Sequence, residues 1–224
     1  AESLVITDEQ YTPLANAISW LDTRSGKETE IIGSHFSQEQ RYSITGQSCI
    51  TETFPITKLL WLKTHAPELT GKNIRYLMLK DYIAFGLCGV AAGEYSIYNF
   101  THYLDIRKKG YWEEILDFCG VLPSNLPELA EPCTELGPIR AQVADEINLS
   151  RESTVNCGTL DHFAGMIGTG NIEPGKVSES TGTVLAIAAM TDSFQADKGK
   201  IPCHYGPFRD SFVYLPVCES GGIC

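Results

Sequence analysis

Hydrophobic and polar positions come in blocks that change period along the chain. The first block, Leu4 to Thr7, is a short run led by Leu and the β-branched Val, Ile and Thr, and beyond the polar Asp8-Glu9-Gln10 turn the segment up to Asp22 predicts a second short β run. Together they form a hairpin-like pair, with Pro13 marking an irregular start to its second half. The stretch TRSGKETEIIGSHFSQEQRYSITGQS is polar and punctuated by glycine, so a short helix is expected around Lys27 to Ser34 and loop after it. From Pro55 the spacing turns helical: Ile56, Leu59, Leu60 and Trp61 recur with Lys58 and Lys63 between them, the proline sits where no N–H partner is lost, and Ala66-Pro67 ends the run. In NIRYLMLKDYIAFGLCG, Ile74, Leu77, Met78, Tyr82, Phe85 and Leu87 share one broad face, which predicts a second helix stopped by Gly89. GYWEEILDFCGV predicts a third, with Trp112, Ile115, Leu116 and Phe118-Cys119 inward and Gly120 at its end.

LPSNLPELAEPCTELGPI then reads as a proline-rich connection. Beyond it STVNCG and GTVLAIAAMT read as strands with a turn and a helix between them, Asp192 to Gly199 as loop, and SFVYLPV as strand again. No internal repeat or low-complexity tract interrupts this order, and the mixture predicts an α/β architecture.

Composition narrows the classes of function. With 224 residues, 43% of them hydrophobic, the chain can build one or two domains around a real core. Its net charge of -11, with Lys and Arg scattered apart from Arg107-Lys108-Lys109 and no aromatic-basic stripe, argues against nucleic acid as a partner. The longest apolar runs fall short of the roughly 20 residues that span a bilayer. The opening AESLVITDEQ has no basic and then apolar leader pattern, so the expectation is a soluble cytoplasmic protein without a membrane partner. Eight cysteines without a C-x-x-C pair predict free buried thiols, and the spacing of Cys203, His204, Cys218 and Cys224 matches no usual zinc site. The chain begins directly on a strand and stops at CESGGIC, a glycine pair opening another apolar segment, so both a missing beginning and a missing continuation are expected.

Three constellations could carry chemistry. In VNCGTLDHFAGMIGTGN, Asp161 follows a Gly-Thr-Leu turn after an apolar run, at the carboxyl end of a strand where open α/β sheets place ligands. Such a carboxylate can be a helix cap, a metal ligand or a catalytic base, and Gly158, Gly165, Gly168 and Gly170 leave room for a close approach. The turn Ser180-Thr181-Gly182-Thr183 offers hydroxyls and N–H groups to an anion, or is an ordinary β-turn; it lacks the G-x-x-x-x-G-K-[ST] phosphate loop. In SWLDTR, Trp20, Asp22 and Arg24 alternate, so in a strand they would share a face fit for a sugar, or be a half-buried Trp beside a surface ion pair.

Taken in order, these stretches resemble the FGGY family of carbohydrate kinases. WLDTR is similar to that family's W-x-D-x-R region, ITKLLWLKTHAPE to its K-L-x-W-L-x-x-x-x-P-E helix, and LKDYIAFGLCG to its D-Y-x-x-x-x-L-T-G segment. YLDIRKKGYWEEILDFCGV resembles D-I-x-x-x-x-W with its following helix, Trp112 standing one place later than in that pattern, and CGTLDHFAGMIGTGNIEPGKVSESTGTVLAIA resembles the G-x-x-D-x-x-x-x-x-x-G-x-G and S-x-G-T block. The resemblance runs over nearly the whole chain. It implies two ribonuclease-H-like, actin-like domains hinged around a cleft, here residues 1–170 as a partial N-terminal domain and 171–224 as the truncated start of the second. It also implies ATP and Mg2+, a sugar or polyol acceptor such as a pentulose, and a homodimer as the candidate assembly. Asp161 would be the catalytic base; Trp20, Asp22, Arg24 and His162 would lie on the sugar side; Gly182 and Thr183 would meet nucleotide phosphates.

Three departures qualify this. No D-x-G-T-x-S phosphate and magnesium motif precedes Trp20, nor does the later adenosine-binding glycine pair occur, so the fragment is expected to be inactive alone. His162 stands where xylulokinases of the family commonly carry Asn, and could touch substrate or serve as a structural hydrogen-bonder. AESL stands where many of them show a Q-M-H-G sugar contact. The competing reading is a non-catalytic actin-like protein that senses nucleotide or sugar.

Overall fold

A computed structural model of the chain describes residues 2–182 and 185–218. Its core starts at β1 (Leu4–Thr7), which is buried along its whole length. The polar return after β1 is held by two bridges, Leu4 to Ile18 and Thr7 to Pro13, so the expected hairpin is present with an irregular second arm. Proline cannot donate to a ladder, which keeps that arm from becoming a continuous strand.

α1 (Gly26–His35) occupies the segment expected to be helical. The stretch expected as loop holds a second helix, α2 (Gln38–Thr45). Its polar sequence hides it, but its ends are marked: Ser37 accepts from the Gln40 N–H at 3.1 Å, and Gly46 closes it in the left-handed region at φ 71°. α3 (Pro55–His65) follows as expected, starting on Pro55 and burying Ile56, Leu59, Leu60 and Leu62 against α1.

The run after Asn73 divides in two. β2 (Arg75–Met78) pairs antiparallel with β1, Leu4 opposite Met78, and only then does α4 (Leu79–Cys88) begin, with Gly89 as its left-handed cap. The helix expected from Ile74 is therefore a strand and a helix. A short apolar run fits either period, and the neighbouring β1 edge decides it.

Next come β3 (Ala92–Glu94), α5 (Tyr95–Tyr98), the β4 (Leu104–Asp105) and β5 (Gly110–Tyr111) pair, and α6 (Glu113–Cys119), which ends at Gly120. The proline-rich connection is not featureless. Its β6 (Glu128–Ala130) pairs parallel with β3, and its β7 (Glu135–Pro138), followed by α7 (Ala141–Glu146), pairs antiparallel with β8 (Thr154–Asn156). α8 (Asp161–Gly168) leads to an antiparallel sheet in which β9 (Val177–Thr181) lies on one side of β10 (Leu185–Thr191). On its other side lie β12 (Phe212–Tyr214), flanked by β11 (Cys203–Tyr205), and β13 (Val217–Cys218).

One buried ionic group ties the first half together. Lys80 Nζ donates to Asp81 Oδ1 at 2.7 Å and lies 3.9 Å from Glu94 Oε1, while Tyr98 donates to Asp81 Oδ2 at 2.8 Å. Glu94 accepts from the Ser96 and Ile97 N–H groups at 2.7 and 2.9 Å and so caps α5. Burial pushes both carboxyls above their usual range, and Lys80 opposes the shift.

The late sheet meets the early helices at Gly46. The Cys203 N–H donates to the Gly46 carbonyl at 2.9 Å, and a Cβ on Gly46 would stand 2.0 Å from the Cys203 carbonyl oxygen. Gly46→Ala should therefore cost about 2–3 kcal/mol, from the positive φ and the collision together. A denaturation midpoint within error of the wild type would show that the seam yields freely.

Cys49, Cys88, Cys119, Cys133, Cys157 and Cys203 are free thiols; Cys119, Cys157 and Cys203 are buried, but Cys49 and Cys133 are exposed, against the expectation of burial. Among the described residues no helix is long and apolar enough to cross a membrane.

Candidate active site

Asp161 is positioned by the elements on either side of it. β8 ends at Asn156, whose side chain accepts from the Gly158 N–H at 2.9 Å and draws the chain into a turn with Gly158 at φ 69°. The Leu160 N–H then donates to Ser96 Oγ at 3.0 Å, and the Thr159 hydroxyl lies 3.0 Å from the same oxygen. Ser96 belongs to α5, which Glu94 caps, so the corner rests on the buried ionic group. Phe163 and Met166 pull α8 inward, and the Asp161 carboxylate is left 89% exposed.

The helix cap is Leu160, not Asp161. Asp161 is the first helical residue, and its Oδ1 accepts from the His162 N–H at 2.9 Å and lies 3.2 Å from His162 Nδ1. It satisfies one open N–H of the first turn from inside the helix, where a negative charge is also favoured by the helix dipole.

Asp161 and His162 form a wall common to two cavities. The larger, about 390 Å³, is bounded also by Glu2, Trp20, Gln47, Phe100 and His204. The smaller, about 310 Å³, runs along Thr169 and the β9 residues Ser178, Glu179 and Ser180. The first offers aromatic faces and polar groups, the second a row of hydroxyls.

Trp20 reaches the larger cavity, with its carbonyl accepting from Lys58 Nζ at 3.2 Å; the same ammonium donates to the Thr53 carbonyl at 3.0 Å. Asp22 and Arg24 do not line that cavity. They lie in a turn, not on one face of a strand, because the chain after Ile18 leaves its bridge to β1. Arg24 Nε and Nη2 donate to the two Asp22 oxygens at 2.8 and 2.7 Å, and its guanidinium carbon stands 5.0 Å from the centre of the Trp61 ring. That pairing holds the Asp22 carboxyl below its usual range.

Gly182 follows β9 and is exposed, with no atom of the described residues beyond its chain neighbours within 4 Å of where a Cβ would stand. Its neighbour Thr183 lies outside the described residues. The strand that carries Ser178 and Ser180 thus leads out of the smaller cavity to Gly182.

In the sequence His204 stands out only for its place beside Cys203. It is buried, its ring stacked on Phe100 with centroids 4.3 Å apart, and burial lowers its pKa to about 3. Gln47 Nε2 donates to the Asn99 carbonyl at 3.2 Å and lies 3.1 Å from His204 Nδ1, which assigns the neutral ring's proton to Nε2. Gln47, Phe100 and His204 carried no motif that could have singled them out. Glu2 did, as the departure from Q-M-H-G.

For magnesium, Asp161 and Glu179 line the same cavity, but among the described residues no group of three His, Cys, Asp or Glu side chains converges. The described residues do not make a site for the ion.

The family model described as the FGGY family of carbohydrate kinases, N-terminal domain, matches residues 1–168. The chain is similar to xylulose kinase of Bacillus subtilis (strain 168), 33% identical over 224 residues that cover 98% of this chain and 44% of that protein. It is also similar to gluconokinase of the same organism, 28% identical over 223 residues, covering 99% and 43%. In fold it resembles the ligand-bound xylulose kinase from Lactobacillus acidophilus, with a TM-score of 0.89 and 23% identity over 99% of this chain and 45% of that one. The architecture is thus the ribonuclease-H-like, actin-like one that the resemblance implied. The chain spans less than half the length of these relatives.

Proposed function

The chain belongs to the FGGY family of carbohydrate kinases, and from that premise we propose that the intact protein transfers the γ-phosphoryl group of ATP to a hydroxyl of a sugar, a pentulose or a related ketose or polyol. The observation that carries this reading is the placement of Asp161 on the wall between the two cavities. An acceptor in the larger cavity would present its hydroxyl to Asp161, with Trp20 and Phe100 against its C–H faces. The triphosphate would lie along the hydroxyls of Ser178 and Ser180 and reach Gly182 and Thr183. Asp161 takes the hydroxyl proton as the acceptor oxygen attacks the γ-phosphorus and ADP leaves; His162 holds the carboxylate oriented. Phosphoryl transfer is mostly positioning and charge stabilisation, so a base on the shared wall is the main chemical part that this stretch of chain can contribute.

In this reading residues 1–170 belong to the N-terminal domain and 171–224 open the second. The chain by itself does not turn over, and the intact protein works in the cytoplasm, where ATP is available. The relatives' names divide between xylulose, which is uncharged, and gluconate, which is an acid, so family membership leaves the acceptor open.

The test is ATP-dependent phosphate transfer by the intact protein to a panel of ketoses, polyols and aldonates, read as ADP release and as phosphorylated product by mass spectrometry. Turnover of at least one acceptor is expected. Calorimetric binding of an acceptor with no transfer at saturating ATP would identify a sensor instead.

A further inference from the structure

Resting on the kinase reading, we propose that Glu2 makes the larger cavity selective for uncharged ketoses and polyols and closes it to sugar acids. Glu2 and Asp161 place two carboxylates in the walls of that cavity, and no Lys or Arg is among the described residues lining it. The cations nearby are committed elsewhere. Lys58 is fully buried, with its ammonium on the Trp20 and Thr53 carbonyls. The Arg24 guanidinium is held in the two-point pair with Asp22. His204 is neutral, since burial lowers its pKa to about 3, and His162 is turned toward Asp161.

A carboxylate entering this space would meet two carboxylates of like charge, with no Lys or Arg among the described lining residues to offset them. Burial pushes the Glu2 carboxyl above its usual range; the Asp161 charge adds to that shift and the Lys58 charge opposes it. A neutral polyhydroxy chain meets the opposite situation. An ionised carboxylate accepts up to four hydrogen bonds and donates none, which suits adjacent sugar hydroxyls, and Trp20 and Phe100 supply apolar faces.

The experiment uses the intact protein with ATP and compares kcat/KM for D-xylulose, D-ribulose, xylitol and glycerol with that for D-xylonate and D-gluconate. The wild type should prefer its best uncharged acceptor over the better aldonate by about 100-fold or more. Glu2→Gln should lower kcat/KM on that acceptor about 10-fold, mainly through KM, and shrink the preference by about 10-fold or more, whereas Glu2→Asp should keep the preference. Calorimetry without ATP should give the same ordering of affinities. A wild-type enzyme that phosphorylates an aldonate within about 10-fold of its best neutral acceptor overturns the proposal and leaves the kinase reading intact. So does Glu2→Gln lowering both classes equally. If Glu2→Gln does not fold, the wild-type panel decides alone. Transfer to no acceptor at all overturns the kinase reading and this proposal with it.

Discussion

Asp161→Asn in the intact protein should lower kcat by about a thousand-fold or more while KM for the acceptor stays within a few-fold. The substitution is nearly isosteric, and the amide oxygen can still accept from the His162 N–H, so the first turn of α8 and the wall between the cavities should persist. What is lost is the capacity to take a proton as the acceptor oxygen attacks. Removing a group used only in the transition state lowers kcat and kcat/KM together and leaves ground-state binding alone. Initial rates at saturating ATP, with acceptor affinity measured by calorimetry, separate the two. Near-normal turnover would remove Asp161 from the role of base; a large rise in KM at unchanged kcat would make it a binding group.

Lys80→Met should cost about 3–5 kcal/mol of folding stability near neutral pH. The substitution keeps most of the side-chain volume but leaves Asp81 and Glu94, both fully buried, without the ammonium that lies 2.7 and 3.9 Å from them. Their carboxyls are already raised by burial, and without Lys80 they should rise further. A carboxyl raised in the folded state contributes stability that is fully present below its unfolded pKa and is lost as pH rises through the folded value. The deficit of the variant should therefore be largest around pH 7–8 and shrink toward pH 5. Denaturant melts across that range check it; a deficit that is flat, or that grows toward acid, would mean the network does not hold its charges as described. The consequence reaches chemistry as well, since Glu94 caps the helix whose Ser96 fixes Leu160, the residue before Asp161.

The sequence was most legible where a run had its own punctuation. Pro55 and Ala66-Pro67 bracket α3, Gly89 and Gly120 close α4 and α6, and the strand, turn, helix and strand around Asp161 follow in the expected order. It was least legible where a neighbour distant in sequence decided the outcome. Tyr76 to Met78 became strand because β1 lies beside them, and α2 formed from a polar run because its buried face is made of Arg41, Tyr42 and Thr45, which no hydrophobicity pattern marks. Trp20, Asp22 and Arg24 show the limit of spacing arguments. Their alternation suggested one face, yet a turn directs Trp20 into the cavity while Asp22 and Arg24 bind each other. The family resemblance, which rests on several ordered motifs at once, was sturdier than any of these local readings.

The close approach at Gly46 has a kinetic side. Gln47 lies 157 residues from His204 in the chain and Asn99 lies 106 from Tyr205, yet both pairs are in hydrogen-bond contact across that seam. Contacts of such long range require a large loop to close before they return any stabilisation, so they are expected to form late in folding. During synthesis the early half can be complete before β11 leaves the ribosome. The cost of Gly46→Ala should accordingly fall on the unfolding rate, with the folding rate almost untouched. The seam would then act as a latch that sets how long the assembled fold survives, and not as part of the nucleus that forms it.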